Sequence, residues 1–368
     1  MENKKTIVLT GGHGGSTAYA FVQALNKNKE YEWDIHFIGS KSAIEGKEVP
    51  TLEAKSMPYL GVKYHAVVTG RIQRRFTRFT LPSIFRIPIG VWQTLKILRE
   101  LKPNLVLSFG GYTAFPVVFL SKMMGVPILI HEQTTAYGRA NKLSEKFADK
   151  VLLSREESLK FYDSRKTVVT GNPVIEEVAK ISSKSKKNNP PTLFVTGGSR
   201  GSEIINQNLL SILPTLLRKY KVIHQVGSQN ENYFKEEKEK LGDLGRNYQV
   251  FGLIDPKEWP SFLEKADIIV SRSGANIVSE IMTIKRPSLL IPIPWSFADE
   301  QTKNALFAKK FGIAEIITQE SLNPSNLYLE IERLNSNWNI KVASVKDKKS
   351  PDILASQKMV EIVINTLK

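Results

Sequence analysis

The 368-residue sequence has no cysteine. Disulfides, thiolate nucleophiles and thiolate-held metals are thereby excluded. Acids are scarce: 36 Asp and Glu stand against 52 Lys and Arg, for a net charge of +16. That imbalance implies an anionic partner: nucleic acid, an acidic membrane or a phosphorylated substrate. No apolar run approaches the ~18 residues of a transmembrane helix, so none is expected. Met1-Glu2-Asn3-Lys4-Lys5 leads into no signal-peptide core, and the chain is expected to stay in the cytoplasm. Nucleotide signatures are missing as well. There is no G-x-x-x-x-G-K-[ST], which argues against a P-loop NTPase. The first glycine loop reads GGHGGST rather than G-x-G-x-x-G, and Phe37-Ile38-Gly39-Ser40 offers no acid for an adenosine ribose, which disfavours a dinucleotide oxidoreductase. No Asp-x-Asp pair occurs, so no metal is expected at a nucleotide-sugar site.

What is present is a device used three times. Ile268-Ile269-Val270 reads as a buried strand, and Ile277, Ile281 and Ile284 follow at helical spacing. Arg272, Ser273, Gly274 and Ala275 therefore occupy a strand-to-helix turn. The first N–H groups of a helix lack internal partners and carry its positive pole, so this turn can seat a diphosphate. Glu280, inside the helix, could accept hydrogen bonds from a ribose diol; an ordinary turn with a solvated Glu is the plainer alternative. Ile7-Val8-Leu9 leads likewise into Gly11-Gly12-His13-Gly14-Gly15-Ser16, and Leu193-Phe194-Val195 into Gly197-Gly198-Ser199-Arg200-Gly201-Ser202.

Strand-like and helix-like runs alternate along the chain. Strands are expected at Thr6–Leu9, Asp34–Ile38, Leu105–Ser108, Pro127–Ile130, Val151–Leu153 and Thr167–Val169. A second set is expected at Thr192–Val195, Lys221–Gln225, Tyr248–Phe251, Ile268–Ser271, Ser288–Ile291 and Ala314–Ile317. This is the signature of α/β architecture with parallel sheets. The length suits two doubly wound, Rossmann-like domains facing a central cleft, with ligands outside the strand carboxyl ends. The boundaries read 1–171 and 172–353, with a closing helix at 354–368 that returns to the first domain. The polar, basic run 182–191 reads as an exposed loop.

Residues 71–102 hold eight basic side chains, including Arg71, Arg74, Arg75, Arg86 and Arg99, against one acid, Glu100. Phe76, Phe79, Phe85, Ile89 and Trp92 lie among them. The mixture suits contact with an anionic membrane surface. A core-facing helix with solvated basic residues is the alternative. Stacking on single-stranded nucleic acid is a third, but no nucleic-acid motif supports it, so no such partner is expected.

These segments resemble, in order, the MurG family of two-domain GT-B glycosyltransferases: GGHGGS at 11–16, SFGGYTAFP at 108–116, HEQ at 131–133, TGNPV at 170–174, VTGGSRG at 195–201, HQVG at 224–227, RSGANIVSE at 272–280 and DEQTKNA at 299–305. The resemblance spans nearly the whole chain. It implies metal-independent, inverting transfer of N-acetylglucosamine from UDP-N-acetylglucosamine to lipid I, making lipid II for peptidoglycan, with no cofactor. It also implies a peripheral position on the cytoplasmic side of the cell inner membrane. Gly198, Ser199, Gly201 and residues 272–275 would hold the diphosphate, the backbone at Ile254 the uracil, Glu280 the ribose and Gln301 the sugar. Gly14, Gly15, Ser16, Gly110, Gly111, Tyr112, His131, Gln133 and Thr134 would shape the acceptor side, with His13, Gly14 and Gly15 near the donor. Three positions depart from the family. Ser16 stands where it has His, Thr134 where it has Asn, and Ile175 where it has Arg, a charge that Arg200, Arg139 or Arg155 could replace. The general base is then His13 or Glu132. His36, His65 and His224 read as structural. Other readings are another GT-B enzyme (a glycolipid glycosyltransferase or a UDP-N-acetylglucosamine 2-epimerase) and a catalytically lapsed membrane-binding relative.

Overall fold

The computed structural model describes residues 3–12, 15–40, 42, 51–68, 80–198 and 200–368, with backbone alone at 52 and 80–84. His13, Gly14, Arg71, Arg74, Arg75, Phe76, Phe79 and Ser199 lie outside the described residues. The chain divides into two compact units, Met1–Glu176 with Pro351–Lys368, and Glu177–Ser350.

The first unit is built on seven strands: β1 Lys4–Thr10, β2 Glu32–Ser40, β3 Lys63–Val67, β4 Leu105–Ser108, β5 Ile128–Glu132, β6 Lys150–Leu153 and β7 Thr167–Val169. They form one parallel sheet in the order β3-β2-β1-β4-β5-β6-β7, with Val8 opposite both His36 and Val106. Runs such as Leu105-Val106-Leu107 are apolar at every position because helices cover both faces. The second unit has six: β8 Thr192–Thr196, β9 Lys221–Gln225, β10 Tyr248–Phe251, β11 Ile268–Ser271, β12 Ser288–Leu290 and β13 Ala314–Ile316. They run parallel in the order β10-β9-β8-β11-β12-β13.

In each sheet the strand order reverses beside the first strand, between β1 and β4 and between β8 and β11. A doubly wound sheet opens a crevice at that point, beyond the carboxyl ends. Gly11 and Gly12 meet Gly110 and Thr113 at one switch point; Ser202 meets Arg272 at the other.

The helix Ala355–Leu367 buries Met359, Val360, Val363 and Ile364 against Ile7, Leu9, Phe21 and Leu25 of the first unit. Its approach is pinned by a buried ion pair. Arg155 Nη2 donates to Asp352 Oδ2 at 2.8 Å, Nη1 contacts Oδ1, and the Asn172 N–H donates to the same carboxylate at 2.7 Å. Arg155 is therefore a clamp on the C-terminal segment and not a replacement for the arginine expected after Asn172-Pro173-Val174.

Candidate active site

In the second unit, β11 ends at Ser271 and the helix Ala275–Ile284 starts after Gly274. Its N-cap is Gly274, which has no side chain to cap with, so backbone N–H groups form its positive end. The polar side chains of the turn point elsewhere. Ser273 is fully buried; its hydroxyl donates to the Gln301 carbonyl at 2.8 Å, and its own carbonyl accepts from Asn304. Arg272 donates from Nε to Ser202 Oγ, from Nη1 to the Ile291 carbonyl and from Nη2 to Gln319 Oε1, at 3.1, 3.1 and 2.8 Å. These two residues, expected at the diphosphate, brace the turn through their side chains. Any contact of Ser273 with a ligand would be through its backbone.

The neighbouring turn after β8 has Gly198 exposed with φ +83°. Gly201, at φ +72°, passes so near β9 that a Cβ would lie 2.0 Å from the Val226 carbonyl oxygen. Only glycine closes that turn. Arg200, between them, is exposed. Ile254, after β10, is buried, so the expected uracil contact falls to its backbone. Gln301 holds the segment before it, accepting from the Ile293 N–H at 3.1 Å and donating from its own N–H to Ser296 Oγ at 3.2 Å. Within that segment Ala298 and Asp299 both adopt left-handed backbone, φ 52° and 56°, a strained arrangement for non-glycine residues.

Glu280 is the polar side chain of this group that remains open to a ligand. It is 6% exposed, and Trp259 Nε1 donates to its Oε2 at 2.9 Å. Its Oε1 makes no hydrogen bond among the described residues. Burial pushes its carboxyl up to about 7, against the opposing pull of the indole N–H.

In the first unit the two turns touch backbone to backbone. The Gly12 N–H donates to the Gly110 carbonyl at 3.0 Å, and Thr113 Oγ1 donates to that of Gly11 at 3.0 Å. Gly111, at φ +93°, faces Gly12 so closely that a Cβ would sit 2.8 Å from its nitrogen. Gly15 opens the helix Gly15–Lys27, and Ser16 and Tyr112 are half-buried beside these turns. At the end of β5, Gln133 Nε2 donates to the Phe109 carbonyl at 3.3 Å. His131 is wholly buried, 3.1 Å from the Gly171 carbonyl through Nε2, and burial drives it down to about 4. It is a neutral interior group, withdrawn from any acceptor. His224 is neutral and interior in the same way, between Tyr248 and Asn206. His36 Nδ1 lies 2.8 Å from His65 Nε2 across β2 and β3.

Glu132, the other candidate base, is 2% exposed and saturated with donors. Oε1 accepts from the Thr134 N–H and hydroxyl at 3.3 and 3.2 Å. Oε2 accepts from the Gly138 N–H, Asn141 Nδ2 and the Tyr162 hydroxyl at 2.7, 3.1 and 2.7 Å. No lone pair is left for a substrate proton. Glu132 organises the loop 133–138, and Thr134 belongs to that internal network.

Of the basic and aromatic stretch, the described part is the helix Thr80–Leu101. Phe85, Ile89 and Trp92, at i, i+4 and i+7, are 76%, 51% and 63% exposed, while Gly90, Thr94 and Leu98 face inward. Arg86, Lys96 and Arg99 are exposed around them. The core-facing alternative does not hold for Phe85 and Trp92. Sequence reasoning missed Trp259, Tyr162 and Asp352, each of which acts on a partner far along the chain, and Asn141, which reaches back nine residues to Glu132; no local pattern marks them.

Two doubly wound parallel domains, with glycine turns at both switch points and no dinucleotide fingerprint, define the framework of a GT-B glycosyltransferase. Residues 6–153 match the glycosyltransferase family 28 N-terminal domain and residues 192–359 its C-terminal domain. A UDP-N-acetylglucosamine–N-acetylmuramyl-(pentapeptide) pyrophosphoryl-undecaprenol N-acetylglucosamine transferase of Clostridium novyi (strain NT) is 32% identical over 340 residues, covering 90% of this chain and 91% of that protein. Its counterpart from Geobacillus thermodenitrificans (strain NG80-2) is 32% identical over 370 residues, 99% of each. The chain belongs to glycosyltransferase family 28 and, within it, to the MurG family that these transferases represent. Solved structures agree on the fold: Acinetobacter baumannii MurG matches with a TM-score of 0.68 at 21% identity over 98% of this chain and 99% of that one. A UDP-GlcNAc 2-epimerase from Neisseria meningitidis matches at 0.65 and 15% over 98% and 100%.

Proposed function

We propose that this enzyme transfers N-acetylglucosamine from UDP-N-acetylglucosamine to lipid I, with inversion at the sugar. The observation that carries the donor assignment is Glu280. It is a buried carboxylate with one oxygen held and one that no described residue holds, inside a helix whose N-cap is a glycine. A carboxylate suits a vicinal diol, and a helix N-terminus suits a diphosphate. The backbone N–H groups of residues 272–275, the open backbone at Gly198 and the exposed Arg200 answer the charge on the leaving UDP, and the reaction is assigned no metal or cofactor. The acceptor hydroxyl attacks the anomeric carbon, the bond to UDP breaks, UDP keeps the electron pair, and the hydroxyl proton passes to a base. Because Glu132 already accepts five hydrogen bonds, we assign the base to His13.

The exposed Phe85-Ile89-Trp92 stripe with Arg86, Lys96 and Arg99 supports docking of the first unit on an anionic bilayer, where lipid I resides. Among the described residues no helix is long and apolar enough to cross a membrane. A peripheral place on the cytoplasmic face of the inner membrane follows from this reading. The test is turnover of UDP-N-acetylglucosamine with and without a lipid I analogue, in EDTA and in magnesium. Acceptor-dependent UDP release with one sugar transferred per UDP, indifferent to EDTA, is expected. Epimerised UDP-sugar without acceptor refutes the transferase reading, as does absence of any turnover.

A further inference from the structure

Trp259 belongs to no glycine turn and to none of the motifs that mark the site. It begins the helix Trp259–Lys265, and its N–H donates to the Asp255 carbonyl at 3.0 Å. Its ring meets Phe194 of β8 edge-on, 5.4 Å between centroids. Held by strand and loop, the indole reaches a residue 21 positions away, giving its N–H to Glu280 Oε2. We propose that Trp259 is a positioning residue for the nucleotide donor: its indole N–H fixes one carboxylate oxygen of Glu280 so that the other faces the ribose diol. The proposal rests on the donor site assigned above and deepens it.

Three observations support it. Among the described residues Glu280 has a single hydrogen-bond partner, so without Trp259 they would leave its carboxylate buried with nothing to orient it. Burial and the indole N–H are also the two influences on its ionisation, the first opposing charge and the second favouring it. Asp255, Lys257 and Glu258 ahead of the Trp259 helix, and Glu300 and Lys303 on the helix packed against Glu280's own, contribute none. Lastly, Trp259 closes the segment that starts at Gly252 and contains Ile254, the expected uracil contact. One side chain thus links the part that would meet the base to the part that would meet the ribose, and a nucleotide lacking either would lose the benefit of both.

The sign of the pH effect follows. Binding a diol needs the ionised carboxylate. With the carboxyl at about 7, donor affinity should rise as pH increases through 7 and level off above it. Removing the indole N–H pushes the carboxyl further up and leaves it unoriented, so Trp259→Phe should bind more weakly than the parent even at pH 9, and the deficit should widen as pH falls. If its midpoint rises by about one pH unit, ionisation should add a further loss of roughly eightfold at pH 6.5. Calorimetry with UDP and 2′-deoxy-UDP from pH 6 to 9 reads this directly. Replacement of Trp259 by 3-benzothienylalanine keeps the ring's shape, lacks the N–H, and should reproduce the result if the Phe variant packs poorly. Turnover at saturating donor and pH 9 should stay within about twofold, with the change confined to KM. Coincident pH curves for the parent and both variants would overturn the proposal and leave Trp259 a packing residue. A different outcome sinks the donor site itself: Glu280→Gln binding UDP as the parent does, with the parent indifferent to loss of the 2′-hydroxyl.

Discussion

Glu132→Gln separates a catalytic base from a structural carboxylate. The amide that replaces it keeps one acceptor oxygen and gains a donor. Its best placement puts the oxygen where Oε2 now meets Gly138, Asn141 and Tyr162. The NH₂ then faces the Thr134 N–H, which loses its acceptor, and the Thr134 hydroxyl must turn around. An unsatisfied buried donor costs about 1–3 kcal/mol, and replacing charged by neutral acceptors costs about 0.5–1.5 kcal/mol for each of the three remaining bonds. The sum is on the order of 2.5–7.5 kcal/mol, a large part of the ~5–15 kcal/mol that holds a domain folded. The Tyr162 hydroxyl, kept protonated by burial and then by Glu132, should become more mobile. We therefore expect the variant's urea midpoint to fall sharply, while protein that remains folded keeps a pH–rate profile with a histidine-like ionisation near about 6.5. His13→Ala should do the opposite, leaving the midpoint in place and lowering turnover by ~10²–10⁴. Circular dichroism in urea and single-turnover rates at saturating substrates read both quantities. If Glu132→Gln unfolds like the parent while its rate falls by that factor, the hydrogen-bond argument is wrong and Glu132 is the base.

Arg155→Met should strand a buried, uncompensated Asp352 and cost about 3–5 kcal/mol, releasing the Ala355–Leu367 helix to proteolysis; a digestion pattern like the parent's would deny Arg155 its role as a clamp. Glu280→Ala should weaken UDP-N-acetylglucosamine binding by about 1.5–3 kcal/mol in calorimetry, and equal affinity removes Glu280 from the site. Phe85→Asp with Trp92→Asp should reduce sedimentation with vesicles containing anionic lipid, while UDP affinity stays unchanged. Undiminished sedimentation would mean that this exposed stripe is not what holds the bilayer.

How far the fold could be read depended on where each strand lies. Leu105–Ser108 and Ile268–Ser271 are interior strands of sheets covered on both faces, so they appear as apolar runs. The Lys63–Val67 strand was not visible in the sequence. It sits at the sheet edge, carries Lys63 and His65, and alternates without a continuous apolar signal. The Glu32–Ser40 strand begins and ends in polar residues, so its central apolar part was legible and its full length was not.

The site shows a different limit. Glycine turns announce themselves locally, because a close backbone approach needs glycine at a fixed place; Gly111 against Gly12 and Gly201 against Val226 are such places. What a polar side chain does next to such a turn is decided by partners elsewhere in the chain. Arg272, read as an answer to phosphate charge, is tied to Ser202, Ile291 and Gln319. Ser273 and Gln301 hold each other's segments, and Glu132 holds a loop through Tyr162, 30 residues on. The consequence is chemical. A diphosphate can be met by backbone N–H groups only if the turns presenting them are rigid, since amides that reorganise lose the benefit of being aimed. The side chains that look most suited to a ligand are engaged in that rigidity. Among the described residues, the exposed Arg200 and the oxygen of Glu280 that Trp259 does not hold are what remains for a ligand. A motif of this kind therefore reads in sequence as a set of ligand contacts and in three dimensions mainly as a frame, and the difference lies in hydrogen bonds that no local pattern encodes.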